Sequence, residues 1–156
     1  MATLSGYAKY VEANGCGYTL MFSGAVTTAK VLMQIVADAA MPLEVVEVAV
    51  DGQSDSADAM EIIIARYSTK STSGTSASGL LGEWSPDNPT STVDVGTGDT
   101  GTLFTTPGTQ TDILVRRDAS VQAGGGFFWS KNMSGGPPLF VPAAGILGIQ
   151  SNITIT

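Results

Sequence analysis

An all-β sandwich is the fold this sequence predicts, and three observations predict it. Short apolar runs recur along the 156 residues with turn residues between them. The clearest of these runs alternate with a period of two. Glycine (19 residues) and Ser plus Thr (33) are abundant, whereas only 13% of residues are charged. A chain of this length is ordinary for one domain, and 1–156 reads as a single antiparallel sandwich with long Ser/Thr/Gly-rich loops. It is long enough to build a core without staples.

Tyr7 to Val11 and Tyr18 to Phe22 flank Asn14-Gly15, a hairpin signal because both turn residues tolerate positive φ. Residues 1–27 therefore form a hairpin or an arm that contacts neighbours. Thr28–Ala40 has a composition that also suits a helix, but its β surroundings favour a strand through Val31, Met33 and Ile35. Leu43–Val50 places Val46, Val48 and Val50 on one face of a strand. Gly52–Ala59 is a polar loop. Met60–Ser68 is apolar on both faces at Ile62–Ile64, which predicts a central strand covered on both sides.

Thr69–Gly79 is a Ser/Thr/Gly run that cannot bury apolar area, so it reads as an exposed excursion. Pro86 and Pro89 exclude a central strand from Leu80–Asn88, which carries Trp84. Val93–Phe104 alternates small polar residues with glycines. Asp112–Arg117 is a strand, Phe127-Phe128-Trp129 follows three glycines, and Leu139–Pro142 is a short extended piece. From Leu147 onward, Leu147, Ile149, Ile153 and Ile155 share one face of a half-buried strand, interrupted by Ser151.

Composition also narrows the chemistry. Seven Lys and Arg against fourteen Asp and Glu give −7, which disfavours a nucleic-acid partner. There is no histidine, so His-based triads and His-ligated metals are excluded. A lone Cys16 forms no internal disulfide or cysteine zinc cluster, and without a histidine to activate it reads as a small buried hydrophobe. No apolar run reaches the ~20 residues of a membrane span, and the N-terminus has no secretion-signal pattern. No cofactor and no membrane partner are expected.

The remaining motifs favour plain readings. Asp51, Asp55 and Asp58 lack the spacing that would gather them around calcium, so they read as a solvated loop. Gly96 to Gly101 matches Gly-x-Gly-x-x-Gly, but Thr102–Pro107 will not start the helix a dinucleotide site needs. The sequons at Asn132 and Asn152 are expected by chance in so Ser/Thr-rich a chain. No pair of acids stands out as a hydrolase would require. The candidate contact residues are Trp84, Phe127, Trp129, Arg116 and Arg117. Core burial and an interface both remain open for Phe127 and Trp129.

Gln53–Glu61 leading into Ile62–Arg66, Ser71–Thr75, Val95–Gly101, Val121–Gly124, Pro137 and Pro142–Gly145 follow one another in an order that resembles the capsid decoration, or cement, proteins of tailed bacteriophages. The resemblance covers roughly residues 25–156. It implies a jelly-roll-like sandwich, a homotrimer on the capsid exterior bound to the major capsid protein, and no catalytic residues. The N-terminal region and residues 69–79 are the expected contacts. The rival expectation is a tail- or fibre-associated sandwich whose Trp84 and Phe127–Trp129 stack on host-surface carbohydrate. A hydrolase using scattered acids is the third.

Overall fold

The computed structural model describes residues 2–26, 30–53, 59–72, 75–76, 81–85, 87, 94–97, 104, 106–120, 125–134 and 139–154. Two antiparallel sheets face each other across an apolar layer. The first sheet contains β1 (Ala2–Glu12), β2 (Gly17–Val26), β4 (Leu43–Gln53), β7 (Leu81–Glu83), β10 (Gly126–Ser130) and β11 (Leu139–Val141). Its order is β10-β4-β1-β2-β7, and β11 also pairs with β4. The second contains β3 (Lys30–Val36), β5 (Ala59–Tyr67), β6 (Thr75–Ser76), β8 (Asp94–Thr97), β9 (Gln110–Ser120) and β12 (Ile146–Thr154), in the order β6-β8-β3-β12-β5-β9. The one helical element is the four-residue turn α1 (Lys131–Ser134), among the described residues. No helix among the described residues is long and apolar enough to cross a membrane.

The β1–β2 hairpin forms where Asn14-Gly15 predicts it, but only Gly15 takes positive φ (84°). The loop is a turn closed by Gly15 N–H donating to the Glu12 carbonyl (2.9 Å), and the Asn14 side chain accepts from Cys16 N–H (2.9 Å). Tyr10 and Tyr18, opposite each other beyond this turn, stack with centroids 5.4 Å apart and are fully buried.

Two expectations about strand faces need correction, whereas the strand expected through Val31, Met33 and Ile35 is present as β3. Opposite β1, Lys9 pairs with Glu47 and Tyr10 with Val45, leaving Val46 unmatched. Leu43 and Val45 therefore point inward before the bulge, and Val48 and Val50 after it, while Val46 is only partly buried. Val46 does not share a face with Val48 and Val50. In β3, Met33 pairs with Ile149 and Val31 with Gln150, so Leu32 is the extra residue. Leu32, Met33 and Ile35 enter the layer between the sheets, whereas Val31 joins a second cluster with Ile63, Ala65, Tyr67 and Phe104. The second correction concerns β12, which is central and partly covered on its second face, where Gly148 is buried and Gln150 and Asn152 are half-buried. Tyr67 lies against Gly148, where a Cβ would stand 2.5 Å from the ring, and its hydroxyl donates to Gln150 Oε1 (2.8 Å). Burial pushes the Tyr67 phenol up to about 12.

The two-sided reading of β5 holds: Met60, Ile62 and Ile64 face the main core, and Ile63, Ala65 and Tyr67 face the second cluster. The excursion expected from Thr69 is tethered at its start. Ser71 is buried, donates its N–H to Gln34 Oε1 (3.0 Å) and accepts from Gly108 N–H (3.0 Å). Thr69, Lys70 and Thr72 are exposed; 73–74 and 77–79 lie outside the described residues. Residues 54–58 and 98–101 of the acidic and glycine-rich motifs also lie outside them.

The turn into β12 carries an unfavourable residue. Ala144 has φ 58°, a left-handed conformation that its Cβ disfavours. Its N–H donates to the Asp38 carbonyl (2.9 Å), and Gly145 N–H closes the turn onto Pro142 O (2.8 Å). Ala144→Gly is expected to raise stability by about 1 kcal/mol, because the relief of αL strain exceeds the entropy glycine adds to the unfolded chain. Urea unfolding of the two proteins checks this, and a destabilised variant would contradict it.

Candidate functional site

The outer face of the first sheet combines exposed apolar side chains with paired charges. Its composition follows from alternation. In β1, Leu4, Ala8 and Tyr10 point into the core, so Tyr7, Lys9 and Val11 point out. Register then assembles rows across the sheet. Phe128 lies opposite Ala49, Ala49 opposite Tyr7, and Tyr7 opposite Met21. The next row holds Glu47, Lys9 and Thr19, and a further one Phe140, Glu44, Val11 and Gly17. Met21 (52%), Trp84 (49%), Phe140 (47%) and Phe128 (45%) are four of the six large hydrophobic residues that stand exposed among the described residues. The other two, Ile113 and Met133, lie on β9 and α1.

Charge on this face is neutralised locally. Lys9 Nζ lies 2.6 Å from Glu47 Oε1, the Tyr7 hydroxyl donates to the same oxygen (2.8 Å), and the ammonium sits 5.1 Å from the Tyr7 ring centroid. Lys131 Nζ pairs with Glu44 Oε1 at 2.6 Å. The Lys9 hydrogen bond, followed by that from Tyr7, holds the Glu47 carboxyl below its ordinary 4.5. The bond to Glu47 raises both the Lys9 ammonium and the Tyr7 phenol.

Trp84 sits at the β2–β7 margin. Its backbone N–H donates to Gly17 O (3.1 Å) and its Nε1–H to Thr19 Oγ1 (2.9 Å). The indole lies across Gly17, where any Cβ would collide with the ring. Beside it an open cleft of about 440 Å³ is lined by Lys9, Thr19 and Trp84.

The structure separates the candidate contact residues. Phe127 (4% exposed) and Trp129 (6%) point into the main core, so they are not surface contacts; Phe128 takes the outward place between them. Their apolar area is buried between the sheets, which is the plainer of the two readings their alternation allowed. Arg116 and Arg117 are exposed on β9, in the other sheet, and the Arg116 Nε lies 3.3 Å from Glu61 Oε1. Glu61 also accepts from Asn152 Nδ2 (2.8 Å), whose Oδ1 accepts from Gln150 Nε2 (2.9 Å), so the second sequon asparagine is a rung in a side-chain ladder. Cys16 is half-buried against the main core. Among the described residues no three His, Cys, Asp or Glu side chains gather as a metal site.

Met21, Phe140, Lys9, Tyr7 and Glu47 are the members of this face that residue type did not single out. The Leu139-Phe140-Val141 alternation carried a signal for Phe140, since both neighbours are buried.

Comparison with known proteins finds no family model, no curated protein and no solved structure that matches this chain.

Because the Glu47 pKa is depressed in the fold, its contribution is present above the ordinary glutamate value. It is lost as pH falls through the lower folded value. Glu47→Gln is expected to flatten that part of the acid limb while costing under about 1 kcal/mol at neutral pH. Urea midpoints of both proteins from pH 7 to about pH 3 measure this; parallel curves would contradict it.

Proposed function

We propose that this chain is a non-enzymatic structural protein of a bacteriophage virion. It decorates the capsid exterior and stabilises the shell by bridging major capsid subunits. The observation that carries the reading is the outer face of the first sheet, where Phe128 and Phe140 stand half exposed on strands whose neighbouring residues are core. Large exposed aromatics on a sheet face suit docking against another protein. The Lys9–Glu47 and Lys131–Glu44 pairs offset four of the charges on that side of the sheet. Many copies binding side by side turn a modest contact into durable attachment. A net charge of −7 keeps the free protein soluble and suits the outside of a DNA-filled shell.

The finer architectural reading belongs with this proposal: one jelly-roll-like domain assembling as a homotrimer. The insertion of the last strand, β12, between β3 and β5 supports a crossed β topology of that kind. We assign attachment to the β10–β11 side of the face, where Phe128 and Phe140 are exposed and the adjoining α1 exposes Met133.

Quantitative mass spectrometry of purified virions is expected to find the chain in many copies, in a fixed ratio to the major capsid protein. Phe128→Ser combined with Phe140→Ser is expected to lower that ratio at least about tenfold, the loss of two interface anchors. The soluble variant should keep its circular dichroism spectrum. One or a few copies per particle, or full occupancy by the folded double variant, would contradict the proposal.

A further inference from the structure

The Trp84 margin carries chemistry that shell attachment at β10–β11 does not use. On the first sheet, β10 and β7 are opposite edges, separated by β4, β1 and β2. Four spacings of roughly 4.8 Å put these edges about 19 Å apart. A large residue at a sheet margin has many orientations open to it, yet this indole has one. Two hydrogen bonds, from its backbone N–H to Gly17 O and from Nε1–H to Thr19 Oγ1, fix the ring over a position that only glycine can occupy. The indole remains 49% exposed.

The groups beside the ring are polar and also held. Lys9 and Thr19 are cross-strand partners and line the cleft with Trp84. The Lys9 ammonium has three donors, and Glu47 takes one of them. Glu47 and the Tyr7 hydroxyl continue the polar row on the next strands. A flat aromatic platform with fixed donors and acceptors at its rim is what a pyranose needs. Its C–H face stacks on the ring, and its equatorial hydroxyls meet the polar row.

Charge selects among sugars. Among the described residues, Lys9 is the one cation lining the cleft and is paired with Glu47, and the exposed Glu83 immediately precedes Trp84 in an acidic chain. A carboxylated or sulfated sugar would meet a lysine already paired with Glu47 and the nearby Glu83 charge.

The geometry points to a neutral saccharide-binding site on the Trp84 indole, with Lys9 and Thr19 at its rim. This site lies at the β7 margin of the same outer face, at the edge opposite β10, and does not depend on the attachment reading.

A glycan array carrying neutral, sialylated and sulfated oligosaccharides, probed with the labelled full chain, tests it. Wild type is expected to bind neutral pyranose chains with Kd of about 1 mM or tighter. Trp84→Ala should weaken binding at least about tenfold, and Trp84→Phe, which keeps a ring, by less. Lys9→Met leaves the indole packing in place and should also weaken binding, which keeps the test decisive if the alanine variant folds poorly. Phe128→Ser should bind as wild type does. Absence of binding to any neutral glycan, a preference for anionic ones, or binding undiminished in folded Trp84→Ala would overturn the assignment.

Discussion

The bulge at Val46 determines what both faces of the first sheet present. β4 is the strand on which that sheet is built, pairing with β1, β10 and β11. Its sequence places Glu44 and Glu47 three residues apart, an odd spacing that a regular strand would send to opposite faces. If the alternation of Leu43 and Val45 had continued, Glu47 would enter the apolar layer while Val48 and Val50 faced solvent. Burying an unpaired carboxylate costs several kcal/mol, more than most single residues contribute to stability. One extra residue avoids this. Leu43, Val45, Val48 and Val50 are all buried, and both glutamates lie outside, each beside a lysine.

The outer surface inherits its layout from that adjustment. Glu47 reaches Lys9 because their strands are in register there, and Lys9 is thereby held next to Thr19 and the Trp84 cleft. Phe128 is outward because its partner Ala49 follows the bulge, and Phe140 because its partner Glu44 precedes it. Two margins with different chemistry result. The β10–β11 side offers bulky apolar groups suited to a protein surface; the β7 side offers one fixed ring with a polar border.

Strand positions were legible wherever the pattern was local. β5 is apolar on both faces in sequence and covered on both faces in the fold, and among the described residues of 80–88 the strand is the three-residue edge strand β7. The bulges at Val46 and Leu32 were not legible, because an extra residue is defined against a partner strand, and pairing is not written in either strand alone. Depth was also hidden. β12 alternates as a half-exposed strand would, but Tyr67 lies over Gly148 on its second face. Trp84 was singled out as a contact residue and is exposed, while Phe127 and Trp129 are core. Aromatic residue type alone did not distinguish them; the alternation around Phe128 did. Lys9 and Glu47 attract no notice in sequence because they meet only through the β1–β4 register.

The proposed attachment surface is the β10–β11 side of the outer face of the first sheet. Hydroxyl-radical footprinting of the free protein against the same protein on virions tests it most directly. Phe128 and Phe140 are expected to lose most of their labelling on the particle, while Ile113 on β9, in the opposite sheet, keeps its own. Unchanged labelling of both phenylalanines on particle-bound protein, or protection confined to β9, would contradict the account.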